Sequence, residues 1–353
     1  MRVLHIVPDS VADPKHFYLG STKDIRGRTE YFESREILFD EMLAKDRSDT
    51  LLVDQLKGLN LDRYTSVLFE YPIYPASLRL LSEGFPHLRL LTRSHNAEFY
   101  HRLHTMLAHI QNMKHFHHSD PGIIVRTAFR SLFRLRQDYL CARRSDYLLC
   151  ITQWEQENYW RYLAKNSKVA CVPYYLPEMY AHLPCREAEK KCQCVCLMST
   201  GLNCFLINAA NNFIRLVEAL KQTCAEWSFW LTGDFTTNRS LLRHPERISF
   251  TGLLDNPFTM LAESRAVALL SDYGFGFKTK LLDAIFHKCY VFVTQGLYRR
   301  LPVEIKPYCI VVGLNSVESF KNALEESMRP YPEGNPNDEF RTQAFAALDA
   351  LLF

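Results

Sequence analysis

No stretch of this 353-residue chain approaches the roughly 18 uninterrupted apolar residues that a membrane-spanning helix needs. No CxxC pair occurs either, so the 11 cysteines spell out no zinc-ribbon or dithiol redox motif. They are too dilute for a disulfide scaffold, and their odd number leaves at least one thiol unpaired. A net charge of +3 gives no global field of the kind that draws nucleic acid, and no nucleic-acid partner is expected. Low-complexity tracts and fixed-period repeats are also missing. What remains is ordinary globular composition: 47% hydrophobic, 13% aromatic and 23% charged residues. That is enough to bury sizeable cores, and the length suits about two domains.

Cys192, Cys194 and Cys196 alternate, so on a strand all three thiols share a face, which suits a packed core better than a tetrahedral metal site. No metal is expected. The opening MRVLHIVPDS carries one charge and a short apolar run broken by Pro8; it reads as a first strand rather than a signal peptide. Free thiols fit a reducing cytoplasm. Charge is uneven locally: Arg89 to Arg144 holds ten Lys/Arg against three acids, and seven of the 13 histidines lie between His95 and His118. Two readings stay open there, a solvated basic face or a docking surface for anionic lipid or phosphate. His115, His117 and His118 read as a polar loop.

Short apolar runs at Val3–Val7, Thr65–Phe69, Leu88–Thr92, Tyr147–Ile151 and Lys168–Val172 alternate with stretches of helical spacing such as Glu33–Ala44 and Ala128–Arg144. Prolines 173, 177 and 184 interrupt this rhythm. It resumes at Cys192–Met198, Trp227–Thr232, Arg247–Phe250, Val267–Leu270, Tyr290–Val293 and Cys309–Val312, with helical segments between several of them. Apolar strands separated by helices imply parallel sheets covered on both faces. The expected fold is therefore α/β, with two Rossmann-like doubly wound domains at 1–178 and 179–334. A closing apolar helix at 335–353 would pack back towards the first domain. A cleft between the two is the default ligand site.

The most informative segment is SDYGFGFKTKLLDA, Ser271 to Ala284. Gly274 and Gly276 permit a tight turn and a close backbone approach to a ligand. A helix start beyond them, with Lys278 and Lys280, suits an anion, and Asp283 is placed to accept hydrogen bonds from ribose hydroxyls. Phosphate together with sugar hydroxyls means a nucleotide. The alternative is a plain turn whose lysines face solvent. Lys278 is the first choice for the diphosphate and Lys280 the second, because residues two apart do not share a helix face. Tyr71, Tyr74, Tyr174 and Tyr175 offer aromatic faces suited to sugars or to packing.

Here the chain resembles the GT-B glycosyltransferases, in particular the large retaining family that includes many bacterial polysaccharide and lipid glycosyltransferases. GFGFKTKLLDAIFHKCYVFVT is similar to the family's Gly-rich stretch followed by an acidic residue and a valine-rich strand, with Asp283 at the acidic position. Ile248–Asp255 with Gly252, Trp230–Asp234 with Gly233, and Ser199–Gly201 resemble other pieces of its donor domain. Arg93-Ser-His95-Asn96-Ala-Glu98 resembles its H-N-x-E segment, Arg144–Thr152 its R-x-A-D strand, and Lys168–Pro173 the strand closing its acceptor domain. The resemblance implies sugar transfer from a nucleotide sugar, such as a UDP- or GDP-sugar, to a glycan or lipid-linked acceptor. Surface polysaccharide or glycoconjugate synthesis would be the setting, in the cytoplasm or at the inner face of a membrane. No metal cofactor is implied, and no DxD motif is present.

Residue by residue, the resemblance puts His95 and Lys278 at the reacting centre. Gly233, Gly252, Gly274, Phe275, Gly276, Lys280 and Asp283 fall on the donor side. Gly20, Ser21, Arg93, Asn96 and Glu98 fall on the acceptor or diphosphate side, with Arg93 free to hold an acceptor anion. The sequence departs from the pattern at Phe275, where members often carry a first glutamate, and at Lys288 and Tyr290, where Gly and Pro are usual. Those departures motivate an alternative: a non-catalytic relative that binds a sugar nucleotide or supports a partner glycosyltransferase.

Overall fold

Two parallel six-stranded sheets follow one another along the chain. The computed structural model describes residues 1–116, 121–164, 168–181, 189–197, 204–234, 242–274 and 276–353. Phe275, Ser199–Gly201, His117 and His118 thus lie outside the described residues. The first sheet comprises β1 (Arg2–Pro8), β2 (Leu38–Ala44), β3 (Ser66–Phe69), β4 (Arg89–Arg93), β5 (Tyr147–Cys150) and β6 (Val169–Cys171), in the order β2-β1-β3-β4-β5-β6. The second comprises β7 (Lys191–Cys196), β8 (Ser228–Thr232), β9 (Ile248–Gly252), β10 (Ser264–Leu269), β11 (Tyr290–Val293) and β12 (Cys309–Val311), in the order β12-β11-β10-β7-β8-β9. Every pairing is parallel. β3 and β11 are buried along their whole length, as strands covered on both faces should be. Cys194 and Cys196 are core residues, with Cys192 packed beside them.

Strand order positions the site. In the first sheet β2 and β3 flank β1, so loops leaving the carboxyl ends of β1 and β3 diverge. In the second, β8 and β10 flank β7, and the loops after β7 and β10 diverge in the same way. A crevice opens at such a switch point, and ligands bind in it.

The sequence reading of Glu33–Ala44 as helical is corrected. Helix α1 spans Gly20–Ser34, Glu36 takes φ +52°, and Leu38–Ala44 forms the edge strand β2. An edge strand is half wet, so its apolar and charged residues need not alternate cleanly; Arg2 and Arg63 hold Asp40, and Arg26 holds Glu41. After α2 (Asp49–Lys57) and α3 (Pro75–Gly84) come two long helices, α4 (Glu98–Phe116) and α5 (Pro121–Arg144). His115 is therefore helical rather than in a loop.

The last helix, Pro336–Leu352, packs on the first sheet's side, as its apolar face suggests. Phe345 sits 5.2 Å from Tyr31 and 5.8 Å from Tyr175, Asp349 pairs with Arg35 at 2.8 Å, and Arg341 with Glu30 at 2.7 Å. The Asn337 side chain both accepts from and donates to the backbone of Leu176, at 2.6 and 3.0 Å. Among the described residues no helix is long and apolar enough to cross a membrane.

Candidate functional site

On the first sheet's side the cleft floor is a buried ionic network that sequence reasoning missed. Asp24 and Arg28 lie one turn apart on α1 and pair at 2.9 Å. Glu70, the residue after β3, receives Arg28 at 2.7 Å and His5 at 2.6 Å. Arg93, at the end of β4, donates to both oxygens of Asp24 at 3.0 and 2.8 Å. His95 lies between the two acids, Nδ1 3.2 Å from Asp24 and Nε2 3.3 Å from Glu70, and stacks on Tyr71 with ring centroids 4.4 Å apart. Burial alone would raise both carboxyls, but Arg28 and Arg93 hold Asp24 below the usual carboxylate range, and Arg28 and His5 do the same for Glu70.

Asp24, Glu70 and His95 offer three ligand atoms within 4.8 Å of one another. Two guanidiniums already neutralise the two carboxylates, so a cation would gain little there.

On the opposite side, the turn after β10 carries Gly274 and Gly276 at φ +90° and +98°, where a side chain would be strained. Lys278 Nζ curls back over this turn, 2.5 Å from where a Cβ on Gly274 would stand and 5.7 Å from the Phe205 ring centroid. Arg300 donates to the Gly274 carbonyl at 3.3 Å. The helix Lys280–Phe286 begins two residues after Lys278. Lys278 therefore precedes the helix, and the expectation that it and Lys280 face different ways does not hold. Both line one 160 Å³ cavity.

No carboxylate pairs with Lys278 or Lys280 among the described residues. Burial, then the neighbouring Arg300, brings Lys278 down to about 8. Burial, then Lys23, brings Lys280 down to about 8. Cations kept this dry, with Lys280 offset only in part by the nearby Asp283, form a seat for a multivalent anion.

The two sides touch. A Cβ on Gly20 would clash with Thr279, and one on Gly276 with Asn96. Phe277 packs 5.7 Å from Tyr174, and Lys23 of α1 forms a buried ion pair with Asp283. Asp283 is thus not turned freely towards solvent; one oxygen is committed to Lys23, while Oδ1 is buried without a hydrogen-bond partner.

Three cavities meet along this seam. One of 530 Å³ is lined by Gly20, Ser21, His95, Asn96 and Glu98, joined by Arg47, Tyr71, His101, Arg102, His109 and Arg134. One of 310 Å³ lies between Tyr18, Leu19 and Gly20 on one side and Leu253, Leu254, Pro257, Lys280 and Asp283 on the other. The lysine cavity completes the set.

The structure brings together most of the residues singled out in the sequence. Gly20 and Ser21 open α1 rather than forming a loop, so the first turn of a 15-residue helix faces the glycine turn. Arg93 departs from expectation: it is fully buried and also donates to the carbonyls of Val172 and Cys150, so it braces the sheet instead of meeting an acceptor. His95 reaches the cavity wall, but with a carboxylate against each ring nitrogen. Gly233 and Gly252 pin β8 to β9 through a 2.6 Å backbone hydrogen bond. Leu253 and Leu254, not Gly252, line the cavity. Of the four tyrosines, Tyr71 reaches the large cavity, while Tyr74, Tyr174 and Tyr175 are core. A hint of the missed residues was available: Asp24 and Arg28 stand four apart on one α1 face.

No protein-family model and no curated protein sequence matches this chain. Solved structures do resemble it. The sucrose-phosphate synthase of Thermosynechococcus elongatus superposes with a TM-score of 0.62 at 13% identity, over 99% of this chain and 96% of that one. The lipopolysaccharide outer core galactosyltransferase WaaB, in its apo form, gives 0.58 at 13% identity, over 100% and 99%. Anabaena HepE in complex with UDP and glucose gives 0.55 at 11% identity, over 99% and 94%. Likeness this complete at such low identity establishes architecture: the chain has the GT-B fold, two Rossmann-like domains facing each other across a ligand cleft.

Proposed function

We propose that the protein is a glycosyltransferase that moves a sugar from a nucleotide-sugar donor to a glycan or lipid-linked acceptor, using its own cations rather than a resident metal ion. One observation carries this reading: Lys278 and Lys280, neither in an ion pair with a carboxylate among the described residues, follow a two-glycine turn at the switch point of the second sheet and face the first turn of α1. Glycosyl transfer releases a nucleoside diphosphate as negative charge builds on its oxygens. Preorganised ammonium and amide donors stabilise that charge by roughly 3–4 kcal/mol per well-placed group.

Lys278 is assigned to the diphosphate, with Lys280 beside it. The unpartnered Oδ1 of Asp283 accepts a ribose hydroxyl, and Leu253 and Leu254 cover the base. The large cavity, with Glu98, Asn96 and His101, receives the acceptor. The likeness to HepE, which binds UDP and glucose, supports the donor class. Surface polysaccharide or glycoconjugate synthesis is the proposed setting. All ten cysteines among the described residues are free thiols, which suits our proposed location in the cytoplasm.

UDP, GDP or ADP at millimolar concentration should raise the melting temperature, since a ligand that binds the folded chain stabilises it by mass action. If all three leave it unchanged, the donor site is misassigned. Affinity should also depend on pH. A bound diphosphate favours the ammonium forms, so the lysine pKa values rise above about 8 on binding. Affinity is then full below that pH and falls as pH rises to the bound-state value, by about tenfold per pH unit for each titrating lysine. Calorimetric titration with UDP at pH 6.5, 8 and 9.5 measures this, and a flat profile removes both lysines from the anion seat.

A second reading, the non-catalytic relative, is favoured by the buried Lys23–Asp283 pair, which commits the acid and ties the two domains together. Substitution of Lys278 separates the two readings.

A further inference from the structure

Over its first half helix α5 is assembled inside out, while its second half buries Cys141 and Ala142 in the ordinary way. The residues it buries include Thr127, Ser131 and Asp138, whereas Val125, Phe129, Leu132 and Phe133 stand 58–72% exposed. At about 100° per residue those four side chains fall within an arc of roughly 100°, one continuous stripe. A helix packed on a soluble domain normally turns such a stripe inwards. Arginine surrounds it: Arg126, Arg130, Arg136 and Arg143 are exposed on the same helix, and Asp138, the one acid in α5, is buried. An apolar aromatic stripe edged by guanidiniums and free of exposed carboxylate is complementary to a surface that is apolar below and anionic above.

We propose that α5 docks this protein on an anionic phospholipid bilayer, with Phe129, Leu132 and Phe133 in the acyl boundary and the exposed arginines among the headgroups. The opposite side of the same hairpin opens on the large cavity, through His101, Arg102 and His109 of α4 and Arg134 of α5. Docking therefore places that cavity beside the membrane surface. Its use for a lipid-linked acceptor rests on the glycosyltransferase reading, whereas the docking itself does not.

Sedimentation with phosphatidylcholine vesicles, with and without phosphatidylglycerol, tests this without donor or acceptor, so its outcome is independent of the catalytic assignment. The full chain should partition about tenfold more strongly onto the phosphatidylglycerol vesicles and come off as salt rises. The double variant Phe129→Ser/Phe133→Ser should lose binding at every lipid composition. Arg130→Gln/Arg136→Gln should lose the preference for phosphatidylglycerol. Unchanged melting temperatures show that both variants are folded. No binding, binding indifferent to the anionic lipid, or binding retained by both variants overturns the proposal. So does a stable dimer in light scattering that Phe129→Ser/Phe133→Ser dissolves, because a second copy would then cover the stripe.

Discussion

Replacing Lys278 with alanine should lower kcat/KM for sugar transfer by about 10²–10³-fold, the usual loss when one preorganised donor to a developing anion is removed. The fold should survive. In the ligand-free chain this ammonium is desolvated, sits over Phe205 and is paired with no carboxylate among the described residues, so deleting it removes a cost of folding rather than a support. Unfolding measurements should show a variant as stable as the parent or slightly more so. Lys278→Arg keeps the charge and should recover part of the rate. Initial rates with a labelled nucleotide sugar decide the matter. An active parent and an equally active alanine variant would sink the assignment of Lys278. A parent inactive with every donor, yet stabilised by UDP, would favour the non-catalytic reading.

Substituting Glu70 by glutamine should cost about 3–5 kcal/mol of stability, the typical result of removing one partner from a buried ionic network. The shape is conserved and only the charge is lost. Arg28 then keeps Asp24 alone, and His5 and His95 lose an anionic neighbour in a region closed to water. The same network predicts acid sensitivity. Asp24 and Glu70 have depressed pKa values in the folded chain, so the stability they contribute is present above the ordinary carboxylate range near pH 4 and is lost as pH falls through their folded values. Denaturant unfolding at pH 7 and pH 2 measures both effects, because the loss falls below the unfolded carboxylate range. Glu70→Gln should lower stability at pH 7 and flatten its dependence on acid. If Glu70→Gln unfolds like the parent at both pH values, the network is not a structural element.

These two residues differ in how far the sequence announces them. Lys278 stands out in a line of text because two glycines precede it and an apolar strand lies before those. Glu70 does not, being one acid among many, after a strand whose neighbours in space come from distant stretches of chain. The same contrast runs through the cleft. Gly274 and Gly276 were legible because positive φ leaves a compositional mark. The pairing of Lys23 with Asp283 was not, since 260 positions separate the partners and either residue alone suits a solvated surface. Arg93 misled for a related reason. Its neighbour His95 does reach the cavity, but Arg93 closes β4 and its guanidinium is taken up by Asp24 and by the Cys150 and Val172 carbonyls, partners that come from distant stretches of chain.

The parallel sheets, the two-lobed plan and the glycine turn were set by local pattern: apolar runs, turn residues and helical periodicity act over a few residues and are written in adjacent letters, whereas the half-wet edge strand β2 left no such mark. Which charges face one another, which lysines stay unpaired, and which face of α5 is left in water were decided when the two sheets came together, because Coulombic pairing and burial depend on distance in space, and distance in space is not distance along the chain.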